Sequence, residues 1–400
     1  MPIVVRKKTK KIAKNFFLFL TPIIFILLIF FVLNREEGGI PHSNNVDLKI
    51  SLFSKNVTEE VRESRPQFAE IAFAELSPKD NKILPGQFAT VFRAFKRLLK
   101  AEDSEDLRQE YGTWLWTPTL LIDDKYTETI ISDLAERGVN TVYISINSYV
   151  DIFVLENDEL KKTRKKKFEN ILENFIKKAN EKGIIVDAVA GWQNWAEVGH
   201  TYKPFAVANF VKDFNAKSSY RFRGFQYDVE PYLLTEFQTE PEKPLKNFVK
   251  LVDDTKTFFA GSGISFSVVI PDFFDKKDSM TPTFSYRGRR DSVFGHLLEI
   301  LEDSTDSRII IMSYRNFADG KDGSVAVSKN EMNTAKRGVY STKIIIAQET
   351  GEFPPPYITF HGTSKSYFTQ EIGKLQGVFL SHPNYAGLAV HYANSFLELK

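Results

Sequence analysis

Two acidic side chains lie two residues apart in the segment 221–232, and their spacing suits acid–base chemistry. Apolar residues alternate there with Gln226, Asp228 and Glu230, which is typical of a β-strand. The period of two places these three polar side chains on one face of the strand. Two neighbouring carboxylates in partly buried surroundings raise the pKa of one of them, as a general acid near neutral pH requires. We therefore predict that Glu230 is a proton donor beside Asp228.

Pro231 follows the two acids directly. Proline cannot continue a central β-ladder, so the predicted strand ends there and its acids lie at its C-terminal rim. The alternative is an edge strand whose acids face water, because charges on strands are usually solvated.

The composition limits the possible classes of protein. The 400 residues are 42% hydrophobic, which is enough to bury one large α/β core or two smaller ones. The net charge of +2 points to no nucleic-acid partner. With no cysteine, the chain has neither disulfides nor thiolate metal sites nor cysteine nucleophiles. The six histidines lack the spacing of a helical metal site, so we predict no metal and no cofactor.

A repeating unit begins near residue 111 and consists of a short apolar strand, a loop and an amphipathic helix. Eight such units predict an α/β fold, a (β/α)8 TIM-type barrel, over residues 111–400. An open doubly wound sheet is the alternative, but its phosphate-binding glycine loops are absent from the sequence. The chain ends nine residues after His391, so we expect no eighth helix and assign that place to a helix over 86–101. The predicted strands are 113–116, 141–146, 184–190, 224–229, 264–270, 309–312, 344–347 and 387–391.

The N-terminus predicts attachment to a membrane. Residues 1–14 carry six basic residues and no acid, and 16–33 are apolar except for Thr21 and Pro22. An apolar run of this length matches the roughly 17–25 residues that span a bilayer. No small-residue cleavage site follows, so we predict an uncleaved signal anchor over 15–34, with a cleaved signal peptide as the alternative. A linker over 35–45 and an N-terminal extension over 46–110 then lead to the barrel.

The C-terminal ends of barrel strands normally carry the active site. All four tryptophans fall at the predicted ends of the first and third strands, where flat rings could stack on sugars. The alternative is that these rings pack beneath loops. The residues predicted to bind substrate are Trp114, Trp116, Trp192, Trp195, Gln226, Tyr232, Asp272, Arg315 and Tyr392.

The segment from Gly224 through Asp228 to Glu230 resembles, in degenerate form, the Asp-Gly-x-Asp-x-Asp-x-Glu strand of the family eighteen, chitinase-like glycoside hydrolases. Met312-Ser-Tyr314 is similar to the Met-x-Tyr of the sixth strand of that family. The resemblance implies that Glu230 protonates the glycosidic oxygen, that Asp228 orients an acetamido group and that Tyr314 supports the charged intermediate. Four positions depart from the pattern, namely Arg223, Gln226, Arg315 and the region of His391 and Tyr392.

A second assignment uses the same scaffold. Retaining hydrolases of the large two-glutamate barrel clan place their acid/base on the fourth strand and their nucleophile at the end of the seventh, where this chain has Glu230 and Glu349. We therefore predict a membrane-anchored, extracytoplasmic glycoside hydrolase whose partner is a polysaccharide or oligosaccharide. The alternatives are a non-catalytic carbohydrate-binding or scaffold protein of the cell envelope and a surface interaction domain.

The predicted anchor fixes an orientation, because basic flanks stay in the cytoplasm. Protease added to intact cells or spheroplasts should digest the region after residue 34 and leave an N-terminal stub, detected with an antibody against each terminus. Complete protection of the C-terminus would contradict this topology.

Overall fold

The computed structural model describes residues 90, 93, 109–302 and 306–400. Its core is a closed barrel of eight parallel strands in the order β1-β2-β3-β4-β5-β8-β9-β10, with β10 pairing back to β1. Each of the eight predicted strands overlaps one strand of this barrel, which confirms the predicted architecture. A two-stranded hairpin of β6 and β7 lies outside the barrel sheet. The strands are β1 Glu110–Leu115, β2 Thr141–Ser145, β3 Ile185–Ala190, β4 Gly224–Tyr227, β5 Ser265–Pro271, β6 Phe284–Tyr286, β7 Arg289–Asp291, β8 Arg308–Met312, β9 Lys343–Glu349 and β10 Tyr385–His391.

Amphipathic helices connect the strands and cover the barrel. In the longest of them, α3, the Asn157 side chain accepts a hydrogen bond from the backbone N–H of Leu160, which caps the first turn. Gly183, at φ 72°, follows its last turn. The helices in the described ranges 109–302 and 306–400 are α1 Asp124–Glu136, α2 Tyr149–Phe153, α3 Asp158–Glu181, α4 Tyr202–Lys217, α5 Glu242–Phe258, α6 Val293–Leu301, α7 Ser324–Arg337, α8 Lys365–Phe379 and α9 Ala393–Glu398.

The expectation that the chain leaves no room for an eighth helix was wrong. The six residues of α9 fold after β10, and the Phe396 ring packs edge-on against Tyr111 with centroids 5.9 Å apart. Arg137 lies over the same ring and donates to the carbonyl of Leu397 at 2.8 Å. One short helix therefore occupies this place, because a single buried ring and a donor to its last carbonyls are enough to dock it.

Of the predicted helix 86–101, the described residues Thr90 and Arg93 are helical. Arg93 donates to the carbonyl of Gly338 at 2.7 Å, at the end of α7, so it does not lie in the gap beside β10. The predicted anchor and linker lie outside the described residues, and their boundaries stay predictions. Within the part of the chain that the structure describes, no helix is long and apolar enough to cross a bilayer.

The barrel interior is filled in layers by the inward-facing side chain of every second residue. In the middle layer, the large rings of Trp114 and Tyr143 from β1 and β2 lie 5.0 Å apart. Small residues, Ala347 and Ala389, belong to the same buried cluster on β9 and β10. Large side chains on one side and small ones on the other fill the centre, so the barrel is a packed core rather than a pore.

Charged groups close the N-terminal end of the barrel. Arg223, which stands where the chitinase-like motif has an aspartate, donates to Glu110 Oε2 at 2.8 Å and to Asp187 Oδ1 at 3.0 Å. Arg308 lies 3.1 Å from the same Glu110 oxygen, and Tyr143 donates to Oε1 at 2.5 Å. Burial raises the pKa of Glu110, but the charges of Arg308 and Arg223 outweigh it and leave that pKa lowered. Arg223, which differs from the aspartate of the chitinase-like motif, is thus part of a buried ionic cluster.

We expect Glu110→Gln to lower the free energy of unfolding by about 3–5 kcal/mol at pH 7, because it leaves buried guanidinium groups short of a partner. Since the pKa of Glu110 is lowered in the folded state, its contribution is complete above the ordinary carboxyl pKa and is lost as the pH falls through the lowered value. Urea unfolding of both proteins at neutral and acid pH measures this. Glu159→Gln, which breaks an exposed pair with Lys162, is the matched control and should cost at most about 1 kcal/mol. Equal losses in the two variants would contradict the assignment.

Candidate active site

The C-terminal mouth of the barrel brings together the four residues predicted to be catalytic. Asp228 and Glu230 follow β4, Tyr314 follows β8, and Glu349 ends β9. Burial raises the pKa of the Tyr314 phenol well above its usual value, and the negative charges of Glu349, Asp228 and Glu230 raise it further. The Tyr314 ring also stacks on His391, which lies 2.6 Å from Glu349, so the phenol belongs to the same mouth as these acids.

Asp228 faces the barrel interior, since it continues the alternation of Gly224 and Gln226 beyond the last residue of β4. Its backbone N–H donates to the carbonyl of Ala190 at 3.1 Å, which extends the pairing with β3. A Cβ atom at Gly191 would lie 1.7 Å from the Asp228 carbonyl oxygen. Glycine is therefore required at the end of β3 for the two strand ends to approach each other.

The sequence predicted a raised pKa for one acid of this pair and assigned the proton to Glu230; in the structure the pKa of Asp228 is raised, to about 7. Burial is the largest cause, the charge of Glu230 adds to it, and positive charge on His391 would act in the opposite direction. Glu230 lies beyond the strand, and Tyr232 donates a hydrogen bond to its Oε1. Alternation within the strand predicted both acids on one face, but it did not indicate how the tertiary structure would enclose Asp228.

Glu349 is almost fully buried and has three hydrogen-bond donors. Its Oε1 accepts from the backbone N–H groups of Thr350 at 2.8 Å and Gly351 at 2.6 Å. Its Oε2 lies 2.6 Å from Nδ1 of His391, the last residue of β10. Trp116 in turn donates its indole N–H to Nε2 of His391 at 2.8 Å. The sequence indicated His391 only as a departure from the family pattern, and its pairing with Glu349 depends on β9 and β10 being neighbours.

Trp114 and Gln226 were predicted to contact substrate, and their burial contradicts this. Trp114 is 1% exposed and Gln226 is fully buried, and the indole donates to Gln226 Oε1 at 2.7 Å. Both side chains point into the closed barrel, so they form the floor beneath the mouth. Trp195 is also buried, with its ring edge-on to Tyr227 at 6.2 Å. Trp192, 62% exposed, is the tryptophan with a free face.

The remaining predicted binding residues have protein partners. Arg315 donates to Asp322 at 2.8 Å and lies 3.5 Å from Asp272, so these charges tie the rim loops together. Tyr392 packs against His391 with ring centroids 5.3 Å apart. Tyr232 also lines a cavity of about 310 Å³ with Phe237, Phe273 and Met280. Among the described residues, no group of three or more His, Cys, Asp or Glu could hold a metal ion.

Comparison with known proteins finds likeness in fold only. No family profile matches the sequence, and no curated protein sequence matches it. An endo-1,4-β-mannanase from Rhizomucor miehei aligns with a TM-score of 0.47 at 11% sequence identity. The alignment covers 72% of this chain and 87% of the mannanase. A GH5_18 enzyme from Bifidobacterium longum in complex with Manβ1-4GlcNAc has a TM-score of 0.44 at 16% identity, covering 70% and 68%. A D-psicose 3-epimerase has a TM-score of 0.40 at 9% identity, covering 71% and 84%.

With TM-scores below 0.5 and identities of 9–16%, these likenesses carry no argument about the activity of this chain. None of the three is described as a chitinase, so they give no support to the chitinase-like assignment made from the sequence.

The raised pKa of Asp228 predicts a pH-dependent stability. Between its ordinary value of 3.8 and about 7, the folded state holds a proton that the unfolded state has lost, so stability falls as the pH rises through this window. Asp228→Asn mimics the protonated form, and we expect it to raise Tm on the order of 5 °C at pH 8 and little at pH 4. Thermal unfolding followed by circular dichroism at both pH values measures the difference. Asp151→Asn, at an exposed position, is the control, and an equal effect of Asp228→Asn at pH 4 and pH 8 would refute the prediction.

Proposed function

We propose that this barrel is a retaining glycoside hydrolase in which Glu230 is the acid/base and Glu349 is the nucleophile. The observation that carries the proposal is the arrangement at the mouth, where Glu349 of the seventh barrel strand bonds to His391, the His391 ring stacks on Tyr314, and the acids after the fourth strand raise the pKa of that phenol. Two carboxyl groups flanking one bond are what glycosidic cleavage requires. The substrate-assisted chitinase-like route gives Glu349 no part, whereas this chain holds that carboxylate in the mouth with three donors.

In the first step, the Glu349 carboxylate attacks the anomeric carbon while the bond to the leaving oxygen breaks. Glu230 transfers its proton to that oxygen, so the first product leaves neutral and a glycosyl ester on Glu349 remains. In the second step, Glu230 removes a proton from water as the water oxygen attacks the anomeric carbon. The ester bond breaks, Glu349 returns as a carboxylate, and Glu230 is protonated again.

Asp228 and Tyr232 support the role of Glu230. The pKa of about 7 at Asp228 means that the Asp228–Glu230 pair retains a proton near neutral pH, where an isolated pair of carboxyls would have none. Tyr232 occupies Oε1 of Glu230 and leaves Oε2 for proton transfer. Tyr314 lies beside these acids and can donate a hydrogen bond to the charge that returns to Glu349 as the ester bond breaks.

A polysaccharide or oligosaccharide is the substrate class that this mouth fits. The exposed ring of Trp192 after β3 offers a flat apolar face for a sugar, and the cavity beside Tyr232 adds aromatic walls next to Glu230. The predicted signal anchor would hold the barrel at the outer face of a membrane, where cell-envelope or environmental glycans are accessible.

Glutamine at Glu230 keeps the shape of the side chain and removes its transferable proton. We expect Glu230→Gln to lower turnover by roughly 10²–10⁴-fold with substrate binding kept. Glu349→Gln should lose at least as much, because the covalent intermediate cannot form. Reducing-sugar release from soluble β-mannan, β-glucan, xylan and chitin oligosaccharides measures turnover, and proton NMR of the first product reports retention or inversion.

Glu197→Gln, at a half-exposed acid on the rim, is the matched control and should leave turnover within about twofold. Near-normal turnover of Glu349→Gln alone would favour the substrate-assisted route with Asp228. A wild-type protein that binds these glycans and cleaves none of them would instead be a non-catalytic carbohydrate-binding protein.

A further inference from the structure

The hydrogen-bond chain from Trp116 through His391 to Glu349 has a direction that the chemistry of its ends determines. An indole nitrogen can only donate a hydrogen bond. Nε2 of His391, 2.8 Å from the Trp116 nitrogen, must therefore accept and carries no proton. The proton of the neutral imidazole is then on Nδ1, which donates to Glu349 Oε2 at 2.6 Å.

This direction decides between two uses of a carboxylate–histidine pair. In one, the carboxylate orients the histidine, whose free Nε2 acts as a general base toward substrate. In the other, the histidine orients the carboxylate, which itself reacts. The Trp116 indole occupies the nitrogen that the first arrangement needs to leave open. The second arrangement is the one compatible with these contacts.

The surroundings of His391 fix its ring as well as its tautomer. The Tyr314 ring is stacked on it with centroids 6.1 Å apart, and Trp114 meets it edge-on at 5.8 Å. Backbone N–H groups of Thr350 and Gly351 hold the other oxygen of Glu349. Both carboxylate oxygens are thus held by donors whose own positions are fixed, and His391 is the one side chain among these donors.

We propose that Trp116 sets the tautomer of His391, and that His391 in that tautomer positions Glu349 for its reaction. Both are positioning residues, and Trp116, predicted from the sequence to stack on sugar, acts through its N–H group instead. This inference rests on the proposed role of Glu349 as the nucleophile. If Nδ1 of His391 carried no proton, Oε2 of Glu349 would lose its donor and the carboxylate could rotate. A reacting group displaced in this way costs on the order of 10²-fold in turnover.

The tautomer can be observed directly by ¹⁵N NMR of the full chain labelled in its six histidines, in detergent micelles at pH 8. We expect wild-type His391 to show a protonated Nδ1 and an unprotonated Nε2, with its signals assigned by their loss in His391→Asn. Trp116→Phe keeps a ring and removes the N–H, so signal from the Nε2-protonated tautomer should grow. Trp195→Phe makes the same chemical change at a buried indole elsewhere and should leave the His391 signals unchanged.

Kinetics on the glycan that the wild type cleaves separates positioning from sugar stacking. Trp116→Phe should lower kcat on the order of tenfold or more with KM within about twofold, whereas loss of a stacking platform would raise KM. His391→Asn keeps an amide donor near the place of Nδ1, so it should retain more turnover than His391→Leu.

A wild-type His391 whose proton is on Nε2 would overturn the proposal, as would a Trp116→Phe variant with unchanged tautomer and kcat. If the wild type cleaves no glycan, the proposed function fails, and the NMR experiment still decides the direction of the hydrogen-bond chain.

Discussion

Closure of the parallel sheet is the constraint on which the rest of this molecule depends. Once β10 pairs with β1, every second side chain of each strand points into a space with no exit except the two ends. The height of a residue along its strand then determines its surroundings. Glu110 meets buried guanidinium groups at one end, Trp114 meets a packed apolar layer in the middle, and Asp228 meets other acids at the mouth. A single alternation thus provides an ionic cluster, a core and a reactive site.

Glu349 and Asp228, two acids at the mouth, differ in the hydrogen-bond partners of their side chains. Both carboxylate oxygens of Glu349 accept hydrogen bonds, one from two backbone N–H groups and the other from His391. Within the described residues the Asp228 side chain has no such donors, and burial beside Glu230 raises its pKa to about 7. One site therefore holds a carboxyl group enclosed by donors together with an acid whose pKa lies near neutrality. For the proposed mechanism, the donors around Glu349 hold the nucleophile in place, and the proton retained by the Asp228–Glu230 pair is available for transfer through Glu230.

Much of the fold could be predicted because it depends on local patterns. Apolar runs on both faces identified the strands, and the spacing in α3 identified a helix. Contacts across the barrel could not be read in this way. The spacing of Trp114 and Trp192 gave no sign that the former faces the closed interior and the latter solvent. The docking of α9 depends on Tyr111 and Arg137, which lie more than two hundred residues earlier in the chain. Alternation in the sequence indicated the acid pair of Asp228 and Glu230, but the raised pKa of Asp228 could not be predicted, because burial is a property of the tertiary structure.

The bond between Trp116 and His391 joins residues that are 275 positions apart, at the first and last strands of the barrel. A growing chain has every carboxyl group of the mouth before it has His391, and it lacks the ring of strands until β10 emerges. The arrangement that holds Glu349 therefore comes into existence only with the final strand. Under the proposed membrane attachment, such an order of assembly would keep the site unfinished until the last strand of the barrel has crossed.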